Sequence, residues 1–511
     1  MEIIDVHTHT PIQEETWEVY LKEMRANRIS IAFTSSLGAK SWSRFPDSAE
    51  TRAANDQAAK FSRFSGGMVF WLAYLNPQNE DALEELERCV KLGCRGIKLW
   101  VSLRPPEGGS IERCYPLLER AGELGLVVKI HTFHRTDAVL SGEVGMQEVV
   151  EFATHFPKTK IIAAHAGANW RLSHGLLKPL PNLYVDVSGS NPQTGFVESL
   201  CKWIPLSHIL YGSDALGRSF ASQIAKVTCA DISEKAKQAI LFDNAVRLFR
   251  ITKGELVKAR AKAATISLPS SVDAPDCNAD HTFIIDLPGD QIYAKGELEN
   301  AIRKQREYGI SLQYAAYGNS IFSTDLIAAN SAFKKLCARR RGIIPLATLS
   351  PRFVNWRETI AEAVRDGFRG GMLFPYLGNW NLGDESYLPF FEECARVRLP
   401  LWIGTVLYEY RFRHPGMCPR PVETKELLEF LRWAPVNDYV IQGLNATDAV
   451  AVLGTGRQDI RLDVSRLVDG TDALRRVVER FGSRQLVLGS EYPVRPAHLN
   501  REILATLCMF P

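Results

Sequence analysis

The sequence predicts an α/β chain of two tandem (β/α)8 barrels of the TIM type, the second a degenerate copy of the first. Three observations lead there. Short apolar runs alternate with helix-like stretches through the first half, eight times within about 250 residues, the size expected of one such barrel. The second half repeats motifs of the first in the same order. Polar residues, four histidines among them, stand where apolar runs of the first half end.

The apolar runs of the first half are 3–7 (IIDVH), 29–34 (ISIAFT), 68–75 (MVFWLAYL), 95–100 (RGIKLW), 127–131 (VVKIH), 161–165 (IIAAH), 183–187 (LYVDV) and 209–213 (ILYGS). Apolar residues at consecutive positions suit a parallel sheet covered on both faces. Amphipathic segments such as 80–92 and 144–156 fall between them, and 236–249 reads as the helix that closes the barrel.

The second half matches 3–7 with 284–288 (IIDLP), 72–77 with 346–351, GCRGIKLW at 93–100 with GFRGGMLF at 367–374, 183–189 with 460–466, and LYGSDALGR at 210–218 with VLGSEYPVR at 487–495. The offset stays between 273 and 281 residues, as duplication would leave it. Between the copies, the charged and then Ser/Pro/Asp-rich stretch 253–282 has linker composition. The expected domains are 1–255 (catalytic), a linker at 256–282, and 283–511 without metal ligands.

Bulk composition excludes several classes. With 46% hydrophobic and 23% charged residues, the chain reads as an ordinary globular protein of 511 residues. A net charge of +3 gives no reason to expect nucleic acid or membrane partners. No apolar run approaches the ~20 residues that span a bilayer. The first strand begins at Glu2, leaving no room for a signal peptide, and ten scattered cysteines without a CxxC pair suit reduced thiols, so a cytoplasmic location is expected.

Residues two apart on a strand share a face, so His7 and His9 project together from the first strand. His131 ends the fifth strand, His165 the sixth, and Asp214 follows the eighth. Catalytic groups of a (β/α)8 barrel sit at these C-terminal strand ends, where all five converge. Imidazole and carboxylate suit Zn²⁺, with Mn²⁺ or Fe²⁺ as the other fitting ions.

DVHTH (5–9), KIHTF (129–133), AAHAG (163–167), YGSDA (211–215) and DNAVRLF (243–249) together resemble the amidohydrolase superfamily, in its amidohydrolase-related (amidohydrolase 2) branch. The resemblance implies that His7, His9, His131 and Asp214 hold one divalent ion. It makes His165 the group that polarises a substrate carbonyl or moves a proton, and Asp214 the acceptor of a proton from metal-bound water. An ion with an open position can lower the pKa of bound water towards about 7. An ionised Asp214 could then pass the proton to a leaving group.

Other residues near the expected mouth are weaker candidates for substrate contact. Lys98 lies near the end of the fourth strand, where binuclear relatives carry a carboxylated lysine, but a substrate contact or an ion pair is the favoured reading. His134, Arg104, Arg135, Arg171 and Arg218 follow strand ends, and one or two arginines could bind a carboxylate or sugar oxygen. Trp100 and Trp170 could wall the pocket. Asp186, which recurs as Asp463, reads as structural.

Aligning the halves sets His7 against Pro288, His9 against Asp290, His131 against Gly404, His165 against Gly443 and Asp214 against Glu491, so no imidazole remains. The histidines of that half, His281, His414 and His498, do not end apolar runs. The favoured function is a mononuclear metal-dependent hydrolase of a small ester, lactone or amide. The alternatives are a metal-dependent non-oxidative decarboxylase of an aromatic or muconate-type acid, and a non-catalytic metal-binding scaffold. The second barrel is expected to dock on the first as an intramolecular pseudo-dimer.

Overall fold

The computed structural model describes residues 1–103, 110–136, 140–269, 271–285, 287, 297–406, 410–412, 420–470 and 472–508. The chain divides into two compact units, Met1–Ser270 and Ser271–Met509. Among the described residues no helix is long and apolar enough to cross a membrane.

The first unit is a ring of parallel strands. They are β1 (Ile3–His9), β2 (Ile29–Ser35), β3 (Val69–Trp71), β4 (Ala73–Tyr74), β5 (Gly96–Leu99), β6 (Val127–His131), β7 (Lys160–Ala164), β8 (Leu183–Asp186) and β9 (Ile209–Leu210). They pair in chain order as β1-β2-β3 and β4 through β9. β3 and β4 are one strand interrupted at Leu72, whose N–H donates to Thr34 O at 2.8 Å. The ring closes beyond β9, where Val6 N–H donates to Tyr211 O (3.0 Å), Asp214 N–H to His7 O (2.7 Å) and His9 N–H to Ala215 O (2.6 Å). The backbone of 211–215 thus runs beside β1 and brings Asp214 to the two histidines.

The apolar runs become strands because both faces are covered. Ile4, Ile31, Ile97, Val128, Ile130, Ile162 and Val185 are all fully buried. Helix Ser48–Phe64 starts on a capping box of Asp47 and Glu50, and helix Tyr115–Leu124 ends on Gly125 at φ 66°, the left-handed position that glycine takes without strain.

The expected linker at 256–282 is largely ordered. Lys253–Ala264 is a helix opened by a Thr252/Glu255 capping box, with Leu256 and Ala259 buried in the first unit. Arg95 pairs with Glu255, and Arg260 Nε donates to Glu2 at 2.9 Å. Its charges form the solvated face of a helix, a pattern that composition alone confuses with a linker. The next strand begins at Ala279, ahead of the expected boundary at 283.

The second unit carries β10 (Ala279–Ile285), β11 (Leu312–Tyr317), β12 (Ile343–Pro345), β13 (Ala347–Thr348), β14 (Gly371–Leu373), β15 (Leu401–Gly404), β16 (Tyr439–Gln442), β17 (Ile460–Asp463) and β18 (Leu486–Val487). They pair in parallel as β10-β11-β12 and β13 through β18. The hydrogen bonds around β10 correct the expected alignment. Asp5 Oδ1 accepts from His7 N–H and Ser213 N–H, and Asp280 Oδ1 accepts from Thr282 N–H and Ser490 N–H in the same pattern. Ile284 N–H donates to Tyr492 O (2.9 Å), as His9 donates to Ala215. Thr282 and Ile284 therefore stand where His7 and His9 stand. Pro288 and Asp290, like His414, lie outside the described residues. The apolar likeness of IIDVH to IIDLP misplaced the register by six residues, whereas the buried aspartate marks it.

At several positions where the first unit has polar side chains, the second has apolar ones. Ladder register places Met372 at the position of Lys98 and Trp402 at that of Lys129. Ile284, Met372, Phe374 and Trp402 belong to one buried cluster. Glu491, the counterpart of Asp214, pairs with Arg466 and with buried Arg495, each at 2.8 Å.

His281 packs against Tyr314 (centroids 4.7 Å apart) and Trp402 (6.0 Å), which also stack on each other (5.0 Å), and burial lowers its pKa from 6.5 to about 3. As pH falls below 6.5 the unfolded chain takes up this proton first. The stability of the second unit should therefore fall towards pH 3, by up to about 1.4 kcal/mol per pH unit from this group. His281→Phe should flatten that component in urea melts at pH 7 and pH 5. Equal pH dependence in wild type and variant would sink the assignment.

Candidate metal centre

Both histidines of β1 are buried, and their outward nitrogens are committed. His7 Nδ1 lies 2.9 Å from Asp186 Oδ2 and 2.9 Å from Ser188 Oγ. His9 Nδ1 lies 3.3 Å from Ser35 O. A carboxylate and a carbonyl oxygen only accept, so each Nδ1 carries the proton and each Nε2 carries a lone pair. Those lone pairs point inwards. His9 Nε2 is 3.0 Å and His7 Nε2 3.8 Å from Asp214 Oδ1.

Burial keeps both imidazoles neutral by lowering their pKa values. An imine nitrogen and a carboxylate oxygen 3.0 Å apart, with no proton between them, repel unless a cation lies there. The donor set of two neutral imidazoles and one carboxylate therefore fits a divalent ion.

A second cluster shares His7. Ligand atoms of His7, His165 and Asp186 lie within 4.8 Å of one another, as do those of His7, His9 and Asp214. Asp186 Oδ1 accepts the His165 N–H at 3.0 Å, and Ser188 Oγ lies 2.9 Å from His165 Nδ1. His131 joins through His165, its Nδ1 lying 3.2 Å from His165 Nε2, while its Nε2 meets Glu143 at 3.3 Å. His165 (φ 62°) and Asp214 (φ 63°) both occupy left-handed backbone, which costs a side-chain-bearing residue about 1 kcal/mol or more and clusters at functional positions.

Lys98 reaches the centre from β5, its Nζ 3.0 Å from His7 Nε2, and burial lowers its pKa to about 8. An ammonium and a divalent cation cannot share one lone pair, so Lys98 must be neutral or turned aside when an ion is held. Lys129, below it, donates to Val6 O.

The remaining candidates divide. His134 Nε2 accepts the Met146 N–H at 2.8 Å, at the start of helix Met146–His155. Arg135 forms a fork on Glu143, with both contacts at 3.1 Å. Arg171 lies over the Trp170 ring at 4.4 Å, and Trp170 Nε1 donates to Gln193. Arg218 is half-buried four residues beyond Asp214. Arg104 lies outside the described residues. Trp42, 44% exposed, stands 5.1 Å from the His9 ring and 6.1 Å from Trp100.

Sequence reasoning overlooked Ser188 and Glu143 and took Asp186 for a purely structural residue. The available signal was an acid at the end of β8 with a serine two residues on, on one face behind the histidines.

A family model described as amidohydrolase matches residues 4–251. Dihydroorotases of two Helicobacter pylori strains (P12 and HPAG1) are 35% identical over 118 residues, 22% of this chain and 34% of theirs. The chain thus spans about a third of the length of the curated relatives it matches. Among solved structures, a 2,6-dihydroxybenzoate decarboxylase from Rhizobium is 19% identical, with a TM-score of 0.38 over 49% of this chain and 99% of that chain. A 4-oxalomesaconate hydratase from Rhodopseudomonas palustris is 18% identical, with a TM-score of 0.37 over 51% of this chain and 99% of that chain. Segment 4–251, which carries the whole of this centre, belongs to the amidohydrolase family.

Proposed function

We propose that the first unit is a mononuclear metal-dependent hydrolase that cleaves a C–O or C–N bond of a small ester, lactone or amide. The observation that supports it most is the pair of inward lone pairs on His9 Nε2 and Asp214 Oδ1, 3.0 Å apart with no proton between them, with His7 Nε2 3.8 Å from the same oxygen. His131 is the proposed further ligand through Nδ1. Zn²⁺ suits these donors best, with Mn²⁺ or Fe²⁺ next. When bound, a divalent ion supplies Lewis acidity, both to water and to a carbonyl oxygen.

The chain's own groups do the rest. Asp214 keeps its second carboxylate oxygen for a proton, which it takes from water and returns to the leaving oxygen or nitrogen. His165, neutral and held by Ser188 at Nδ1 and by Asp186 through its backbone, would turn Nε2 from His131 to the substrate carbonyl once His131 holds an ion. Lys98 and Arg218 are the proposed substrate contacts. His134 and Arg171, engaged with Met146 and Trp170, shape the walls. The second unit is proposed as a degenerate (β/α)8 copy that docks on the first. If it does, a fragment ending at residue 270 should need residues 271–511 in trans for full turnover, and full activity alone would exclude that role.

Elemental analysis should find about one divalent transition ion per chain, and His7→Ala or His9→Ala should remove most of it. Two equivalents with Lys98 carboxylated would overturn the mononuclear reading. Turnover should appear on a panel of lactones, esters and amides. Turnover confined to aryl carboxylates would make the chain a decarboxylase, and a loaded but inert protein would make it a scaffold.

Asp214→Asn should lower kcat by about 10²–10⁴-fold, because an amide cannot accept the proton, while metal occupancy falls far less. Near-normal kcat at saturating metal would remove Asp214 from proton transfer.

A further inference from the structure

Glu143 is buried, its side chain only 3% exposed, on the turn that precedes helix Met146–His155. One side of its carboxylate faces His131, Oε1 to Nε2 at 3.3 Å. The other side is gripped. Arg135 donates Nε to Oε2 and Nη2 to Oε1, both at 3.1 Å, and Leu140 N–H donates to Oε2 at 3.2 Å. Arg135 is itself nearly buried and lies over the Phe133 ring at 4.8 Å. The turn is tied back to the strand end, since Phe133 N–H donates to Val144 O at 3.2 Å.

A carboxylate is an acceptor only, so the proton in the Glu143–His131 contact belongs to His131 Nε2. An imidazole protonated there carries its lone pair on Nδ1, the nitrogen turned inwards towards His165. A buried carboxylate with no cation beside it is costly to fold, and the planar two-point grip of Arg135 both neutralises it and sets its plane. Lysine in place of Arg135 would keep the charge and lose the fork. This accounts for an arginine whose Nε and Nη2 are both turned to Glu143.

We propose that Glu143, clamped by Arg135, is a positioning residue for His131, fixing the tautomer and ring plane that aim Nδ1 into the centre. The inference rests on the reading of His131 as a ligand. It predicts a property of the metal-free protein as well as of the loaded one.

The test uses the full chain labelled with ¹⁵N-histidine and freed of metal, with His131→Asn to assign the resonance. Wild type should hold His131 in the single Nε2–H form. Glu143→Gln should populate the Nδ1–H form and weaken Zn²⁺ binding about 10–100-fold, the usual effect of removing a group behind a ligand. Arg135→Lys should give a smaller shift in the same direction, and it serves as the readout if Glu143→Gln does not fold. A lowered melting temperature with an unchanged tautomer in both variants would show a merely structural clamp and overturn the proposal. A shifted tautomer in a protein that binds no metal would sustain the proposal and sink the hydrolase reading.

Discussion

The buried carboxylate of Asp186 is the constraint on which the centre depends. Its Oδ2 takes the proton-bearing nitrogen of His7, and its Oδ1 takes the backbone N–H groups of His165 and Ser188. One acid thus sets the face that His7 turns inwards and the left-handed turn that carries His165. Ser188 relays the same control to the His165 ring. Gly212 allows this closeness, since a Cβ there would stand 2.7 Å from that of His7. Without Asp186, the His7 proton is left with Ser188 Oγ, a hydroxyl that can donate as readily as accept, and either nitrogen can face the centre.

The second unit separates the two jobs of this acid. Asp463 accepts the N–H groups of Gly443 and Ser465, so the backbone role is present where the positions of His7, His9, His131 and His165 carry no imidazole. Its neighbour across the centre, Glu491, meets guanidinium groups instead of nitrogen lone pairs. The scaffold contact and the ligand contact of one residue type are physically independent, which is why a recurring aspartate could be taken for a purely structural one.

Much of the first unit is legible in the sequence because its strands carry apolar residues at consecutive positions and end in polar ones. His7, His9 and Asp214 meet as strand-end logic expects, although Asp214 arrives on backbone beyond β9, where the ladder consists of single hydrogen bonds to β1. His131 touches the cluster only through His165. The groups that hold these rings were not legible. Ser35, Asp186 and Ser188 lie 23 to 181 residues from the rings they serve, and no local period links them. Lys98 was placed at the mouth by its strand, but its depth against His7 depends on side-chain direction. Helix 253–264 was missed because its two inward residues are a leucine and an alanine among many charges.

The interior of the second unit also sets what a substitution there would cost. Thr282, Ile284, Met372 and Trp402 fill the volume where His7, His9, Lys98 and Lys129 stand in the first, and Arg466 and Arg495 supply the positive charge that Glu491 needs. A single histidine introduced there would meet a packed apolar wall and an acid already satisfied. Each step towards a cation site would cost stability before any ion could repay it. The two units therefore differ in what one substitution can do: in the first it alters a polar cluster, whereas in the second it must first disrupt apolar packing and a satisfied ion pair.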